Sequence, residues 1–285
     1  MDFDFKHIAA PFRMHPGLAR LDARAAHLTR LDPASVLYQE KRAVYEAGAA
    51  LHCVAGFDPA DALHAIWDNA RTSGAGPLPE PPAPLELAFE EDFAVLDAAT
   101  ETVPWMCVCV PSHWAPEDKL GKSLAAMHAP VADSADLNAA WPHMSRLVGS
   151  GGHWERFVWT ISPSPRYGQH PRRHARQPWP RSADPAEFAA ACHFRAERQT
   201  FLPVNDRQGQ PKGQTVFTIR VMVEPLASVV RHPEQARQLY DALGSMNADV
   251  LLYKNLEAAR APLLAWLSSP NLFPPQSNPW KKPTT

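Results

Sequence analysis

The chain has 285 residues, enough for one large domain or two ordinary ones, and its 45% hydrophobic content permits a substantial core. A net charge of −2 gives no electrostatic argument for nucleic acid or an anionic membrane. No run of about 18 apolar residues is present to span a bilayer, and four irregularly spaced cysteines suit neither a disulfide framework nor a zinc knuckle.

The first residues, MDFDFKHIAA, have no basic region ahead of an apolar run, which predicts a cytoplasmic protein with reduced thiols. Residues 11–31 turn at His15-Pro16-Gly17 and continue as an arm with apolar residues at loose helical spacing. From Asp32, a candidate N-cap, the pattern predicts a helix ended by Gly56, and Asp58-Pro59 introduces a second, ADALHAIWDNARTSG. The proline-rich stretch 74–84 is the best boundary. It divides a helical arm and linker (1–84) from a second region (85–285), the two read as one integrated unit.

Beyond that linker the periodicity shifts towards two. Strands are predicted in LELAFEEDFAVLD and in TVPWMCVCVPS, where Cys107 and Cys109 share a face and read as small core residues. Pro116, Glu117 and Asp118 then have the composition of a helix start, and Pro130 stops the helix near His128. Leu120, Leu124, Met127 and His128 would share its apolar side, with Gly121 two turns below His128. Two readings of His128 stand: the axial ligand of a haem lying over the gap left by Gly121, or a core histidine bonded to backbone.

A further helix is predicted in DSADLNAAWPHMSRLVG, then a glycine hinge at 149–152 and a strand, WERFVWTISPS. Residues 163–187 form a basic, proline-rich loop, which is either solvated or placed to meet an acidic partner or a propionate. Two strands follow, ACHFRAERQTFLPV and GQTVFTIRVMVEPL, joined by a polar hairpin loop. Alternation puts Arg195, Glu197 and Gln199 on one face of the first and Arg198 on the other. Arg198 and Arg220 are charges among apolar or small neighbours, so each needs a partner. That partner is a carboxylate ligand, or an internal one such as Glu197 or Glu91. Helices at PEQARQLYDALGSM and EAARAPLLAWLSS end the pattern. The order of elements predicts an α+β fold: a PAS-like antiparallel sheet with inserted helices, a helical N-terminal arm and C-terminal helices.

PSHWAPEDKLGKSLAAMHAPV resembles the helix-ending motif of the haem-dependent oxidative N-demethylase α-subunit-like family. FEEDFAVL, WERFVWTI, FRAERQTF, VFTIRVMVEPL and Tyr253-Lys254 extend the likeness over residues 10–266. The resemblance implies a PAS-like domain holding haem b, with His128 as the iron ligand. Lys119, Gly121, Trp159, Arg198 and Arg220 fall at cofactor-binding positions. It implies that Glu197, Arg198 and Arg220 act in catalysis, Glu197 by delivering protons to bound oxygen or by holding a cationic amine. The activity implied is oxidation of a small secondary amine by O2. Electrons would come from a separate flavin and iron–sulfur reductase, within an oligomeric assembly. Three positions depart from the motif: Val158, where an asparagine is expected, Ala132, for a second proline, and Asn255, for a glycine. A haem sensor or carrier without turnover, and a haem-free scaffold subunit, are the other readings. An axial thiolate from Cys107 or Cys109 is the alternative to His128.

Overall fold

The structure is a computed structural model; it describes residues 3–15, 17–22, 25–73, 83–123, 126–127, 151–206 and 208–273. The predicted helix at 133–149 and His128 lie outside them. In chain order the elements are β1 (Ala19–Arg20), α1 (Val36–Glu46), β2 (Leu51–Cys53), α2 (Ala60–Thr72) and α3 (Leu85–Ala88). β3 (Asp92–Asp97), β4 (Thr102–Cys107), β5 (Trp154–Ser162), α4 (Pro185–Ala190), β6 (His193–Asn205) and β7 (Pro211–Pro225) follow. Four helices end the described chain: α5 (Leu226–Val229), α6 (Pro233–Gly244), α7 (Ala248–Lys254) and α8 (Glu257–Leu267).

The strands form one antiparallel sheet in the order β1-β5-β6-β7-β3-β4-β2, so the α+β expectation holds. β6 and β7 are the long central hairpin, and their alternation divides the sheet into two unlike faces. On the first face Trp159, Ile161, Phe194, Ala196 and Met222 pack under the C-terminal helices, against Leu239, Leu243, Leu263 and Trp266. Farther along the same face, Phe93, Val95, Leu202 and Val216 pack under Ala62, Ile66 and Ala70 of α2. On the second face Ile219, Val221 and Val223 meet Leu31 and Leu37, the latter on α1. Phe201, Ala94, Leu96 and Met106 form a neighbouring cluster there, with Trp114, Met127, Trp154 and Phe217 half-buried against it. None of the described helices is long and apolar enough to cross a membrane.

Lys41 ties α1 to β3 and is fully buried. Its ammonium meets Asp92 Oδ1 at 3.1 Å and donates to the carbonyls of Phe89 (3.0 Å) and Glu91 (2.7 Å). The other Asp92 oxygen accepts the Val110 N–H at 2.8 Å. Burial is the largest influence and works to lower the Lys41 ammonium, but Asp92 together with Cys109 and Cys107 outweighs it, and Lys41 stays above its ordinary range.

Local structure departs from expectation in three places. Among the described residues, 11–31 contain no helix; Ala26, His27 and Leu28 lie over the first face, and the chain then crosses so that Leu31 meets the second. α1 starts after Ser35, whose hydroxyl accepts the Tyr38 N–H, and stops at Glu46 because Gly48 turns left-handed at φ 61°. The predicted continuation to Gly56 is instead the edge strand β2, paired with β4. β4 itself ends at Cys107, so alternation does not carry to Cys109: Cys107 packs under α2, and Cys109 beside α1 on the second face.

Candidate functional site

The stretch that reads as one helix from Pro116 to His128 is broken. Pro116–Asp118 form a single 3-10 turn, and Gly121 adopts φ 71°, the left-handed conformation that an α-helix cannot contain. The Gly121 N–H donates to the Val103 carbonyl, and the Val103 N–H returns a bond to the Lys122 carbonyl. This short run therefore clings to β4. The helical geometry that places Gly121 beneath His128 is absent, and a Cβ at Gly121 would meet Val54 Cγ2 at 3.5 Å. Ala126 and Met127 are helical, and the Ser123 hydroxyl accepts the Ala126 N–H at 3.2 Å. The Ser123 carbonyl accepts the Met127 N–H at 2.9 Å. Lys119, half-buried, donates to the Met127 carbonyl at 2.7 Å. Burial, followed by Lys122, lowers that ammonium.

The sheet separates the other expected site residues. Trp159 is 5% exposed on the first face, stacked on Phe194 at 5.9 Å and edge-on to Phe12. Arg198 and Arg220 stand directly opposite each other on that face, and each has its own carboxylate. Arg198 pairs with Glu155 at 3.1 Å and donates to the Ala26 carbonyl. Arg220 pairs with Glu90 at 2.6 Å. Glu91 turns away and accepts the Thr29 N–H with both oxygens; burial raises its carboxyl to about 7. Beside the arginines, buried His27 joins Thr200 (3.2 Å) and His153 (2.9 Å), holding residues 25–31 on the sheet.

Glu197 lies on the second face, opposite Val158 of β5 and Val221 of β7. Gln199 Nε2 donates to Glu197 Oε2 at 2.7 Å, and Ser112 Oγ makes a short hydrogen bond with Oε1. Arg195 is 2% exposed and donates to Ser112 Oγ from Nε (2.9 Å) and Nη2 (2.7 Å). It also donates to the carbonyls of Arg166 and Tyr167. Arg156 joins this face opposite Gln199, and Lys254 reaches the β5 edge, donating to the Trp159 carbonyl at 2.8 Å. Burial lowers Arg195 to about 10 and Lys254 to about 8, while Glu197 opposes both shifts. Gln199 Oε1 is buried and has no partner among the described residues.

The basic loop turns out to be docked on the protein. Its Tyr167 and Gly168 N–H groups donate to Glu40, and Arg172 pairs with Glu117 (2.5 Å) and Asp118 (2.7 Å). Arg173 donates to the Ala49 carbonyl. Burial raises the thiol of Cys109 to about 12 and that of Cys107 well above its ordinary value, as packing roles require. Alternation alone places Arg195 and Gln199 beside Glu197. Ser112 and Arg156 carry no such signal, because their approach depends on loop path and strand register.

The second face thus combines an apolar, aromatic-rich cluster with a buried polar line. Residues 55–264 match the family described as haem-dependent oxidative N-demethylase, alpha subunit-like, and the chain belongs to that family. The description attaches haem dependence and oxidative N-demethylation to the family and likens its members to one subunit of a larger enzyme. No curated protein matches the chain.

Proposed function

We propose that this protein is the haem-b-bearing catalytic subunit of an oxidase that demethylates a small amine with O2. Its electrons would come from a separate flavin and iron–sulfur reductase. The observation that carries the reading is the make-up of the second face. Glu197 and the Gln199 carbonyl, which has no partner among the described residues, lie on the same face as a half-buried wall of Trp114, Met127, Trp154 and Phe217. A flat, largely apolar ring suits that wall, and Arg156 offers a cation for its carboxylates. His128, which follows Met127, would hold the iron, and Lys119 would steady the turn before it through the Met127 carbonyl. The bound group would supply the redox centre that activates oxygen. Glu197 would hold the amine, and the apolar wall would keep water from the site. Arg198 and Arg220 lie on the first face, away from Glu197, each matched by its own carboxylate, and would act on the architecture of β6 and β7.

The test is an absorption spectrum of the full chain after haem addition, for wild type and His128→Ala. A Soret band in wild type that is altered or lost in the variant is expected. A wild-type chain that takes up no haem overturns the reading. A reduced-CO band of thiolate type would move the ligand to a cysteine.

A further inference from the structure

Ser112 is the node of a polar line that crosses the second face. Both Arg195 Nε and Nη2 point at its Oγ (2.9 and 2.7 Å). A guanidinium only donates, and a hydroxyl has one proton and two lone pairs. With its lone pairs turned to Arg195, the Ser112 hydroxyl directs its single proton at Glu197 Oε1. The other oxygen, Oε2, accepts from Gln199 Nε2 at 2.7 Å. Glu197 therefore accepts at both oxygens, which is the pattern of a carboxylate.

Commitment of the Gln199 amide N–H to Glu197 orients its carbonyl. Gln199 is 7% exposed, and Oε1 lacks a partner among the described residues. A buried acceptor left unmatched is destabilising unless a donor arrives. Arg195 itself is held from behind by the carbonyls of Arg166 and Tyr167. That part of the loop is in turn fixed by Glu40. The docked basic loop is thus the brace at the far end of the line.

We propose that Arg195 and Ser112 are positioning residues that hold Glu197 as an anionic acceptor, so that Glu197 and Gln199 Oε1 together receive the N–H groups of a small cation. This rests on the placement of the substrate site on this face, and it decides between two roles for Glu197. A carboxylate already accepting at both oxygens receives a cation and is not the proton donor to an oxygen species. Ser112 and Arg195 touch neither substrate nor cofactor and act through Glu197.

The experiment is calorimetric titration of the full haem-loaded chain with dimethylammonium at constant ionic strength, with tetramethylammonium, which has no N–H, as control. Wild type is expected to bind the first and not the second. Ser112→Ala is expected to weaken binding at least tenfold, Ser112→Thr to retain it because the hydroxyl is kept, and Gln199→Met to weaken it similarly to Ser112→Ala. Equal binding of both cations by wild type, or unchanged affinity in Ser112→Ala, overturns the proposal. If Ser112→Ala does not fold, Gln199→Met against Ser112→Thr carries the same comparison. Loss in Glu197→Gln with no loss in Ser112→Ala would leave the site reading standing and remove the positioning role. Failure of haem uptake is read separately, from the Soret band.

Discussion

Single residues decide how the core tolerates pH. Buried His27 is lowered from 6.5 to about 3, chiefly by desolvation, with His153 and Arg198 adding to it. It is neutral in the fold and takes up a proton more readily once unfolded. Its stabilising contribution is therefore complete above 6.5 and is lost as pH falls towards about 3. The slope from one such group approaches about 1.4 kcal/mol per pH unit. Urea unfolding at pH 7 and pH 5 should show a smaller acid loss in His27→Gln than in wild type; equal losses would remove His27 as the cause. Glu91 runs the other way. Its carboxyl is raised by burial from 4.5 to about 7, so its contribution is full below 4.5 and lost as pH rises through 7. The Lys41–Asp92 pair gives a second test. Lys41→Met should cost about 3–5 kcal/mol by stranding Asp92, and adding Asp92→Asn should recover part of it, measured as a double-mutant cycle. The need of Arg198 and Arg220 for partners is legible in the sequence, since a charge inside a strand must be matched. The partners are not: they are Glu155 and Glu90, whereas Glu197 faces away and Glu91 is engaged by Thr29.

At the scale of elements, the central hairpin and the stretch around Gly121 differ in what sets them. β5, β6, β7, α2, α6 and α8 lie where alternation, caps and prolines predict them. The Pro116–His128 reading fails because Pro116, Glu117 and Asp118 suit a 3-10 turn as well as an α-helix. The choice is made by the bonds exchanged with Val103, which local pattern does not contain. Two substitutions separate the pieces. Gly121→Ala forces a left-handed conformation on a residue with Cβ and should cost about 1–2 kcal/mol. Ser123→Ala removes the acceptor for the Ala126 N–H and should cost about 1 kcal/mol. Thermal denaturation reads both. A single helix through 116–127 would instead gain stability from alanine at Gly121, so the sign of that change distinguishes the two structures.

For the whole molecule, the first 84 residues belong to both faces of the sheet. Ala62, Ile66 and Ala70 cover β3, β6 and β7 on one side, while Leu31 and Leu37 cover β7 on the other. A chain beginning at residue 85 should therefore lose its near-UV circular dichroism and cooperative unfolding; a folded, soluble fragment would contradict this. The family is legible through the resemblance of whole segments such as PSHWAPEDKLGKSLAAMHAPV, whereas composition, alternation and proline placement suffice for the α+β class, the long hairpin and the C-terminal helices. Those signals are written by neighbours two to four positions apart. Tertiary structure alone decides which carboxylate meets which arginine and which side chains surround Glu197. Ser112 comes to Glu197 across 85 positions, and Glu155 to Arg198 across 43. Such meetings depend on strand register and loop path, because a shift of one residue would send every side chain of a strand to the opposite face.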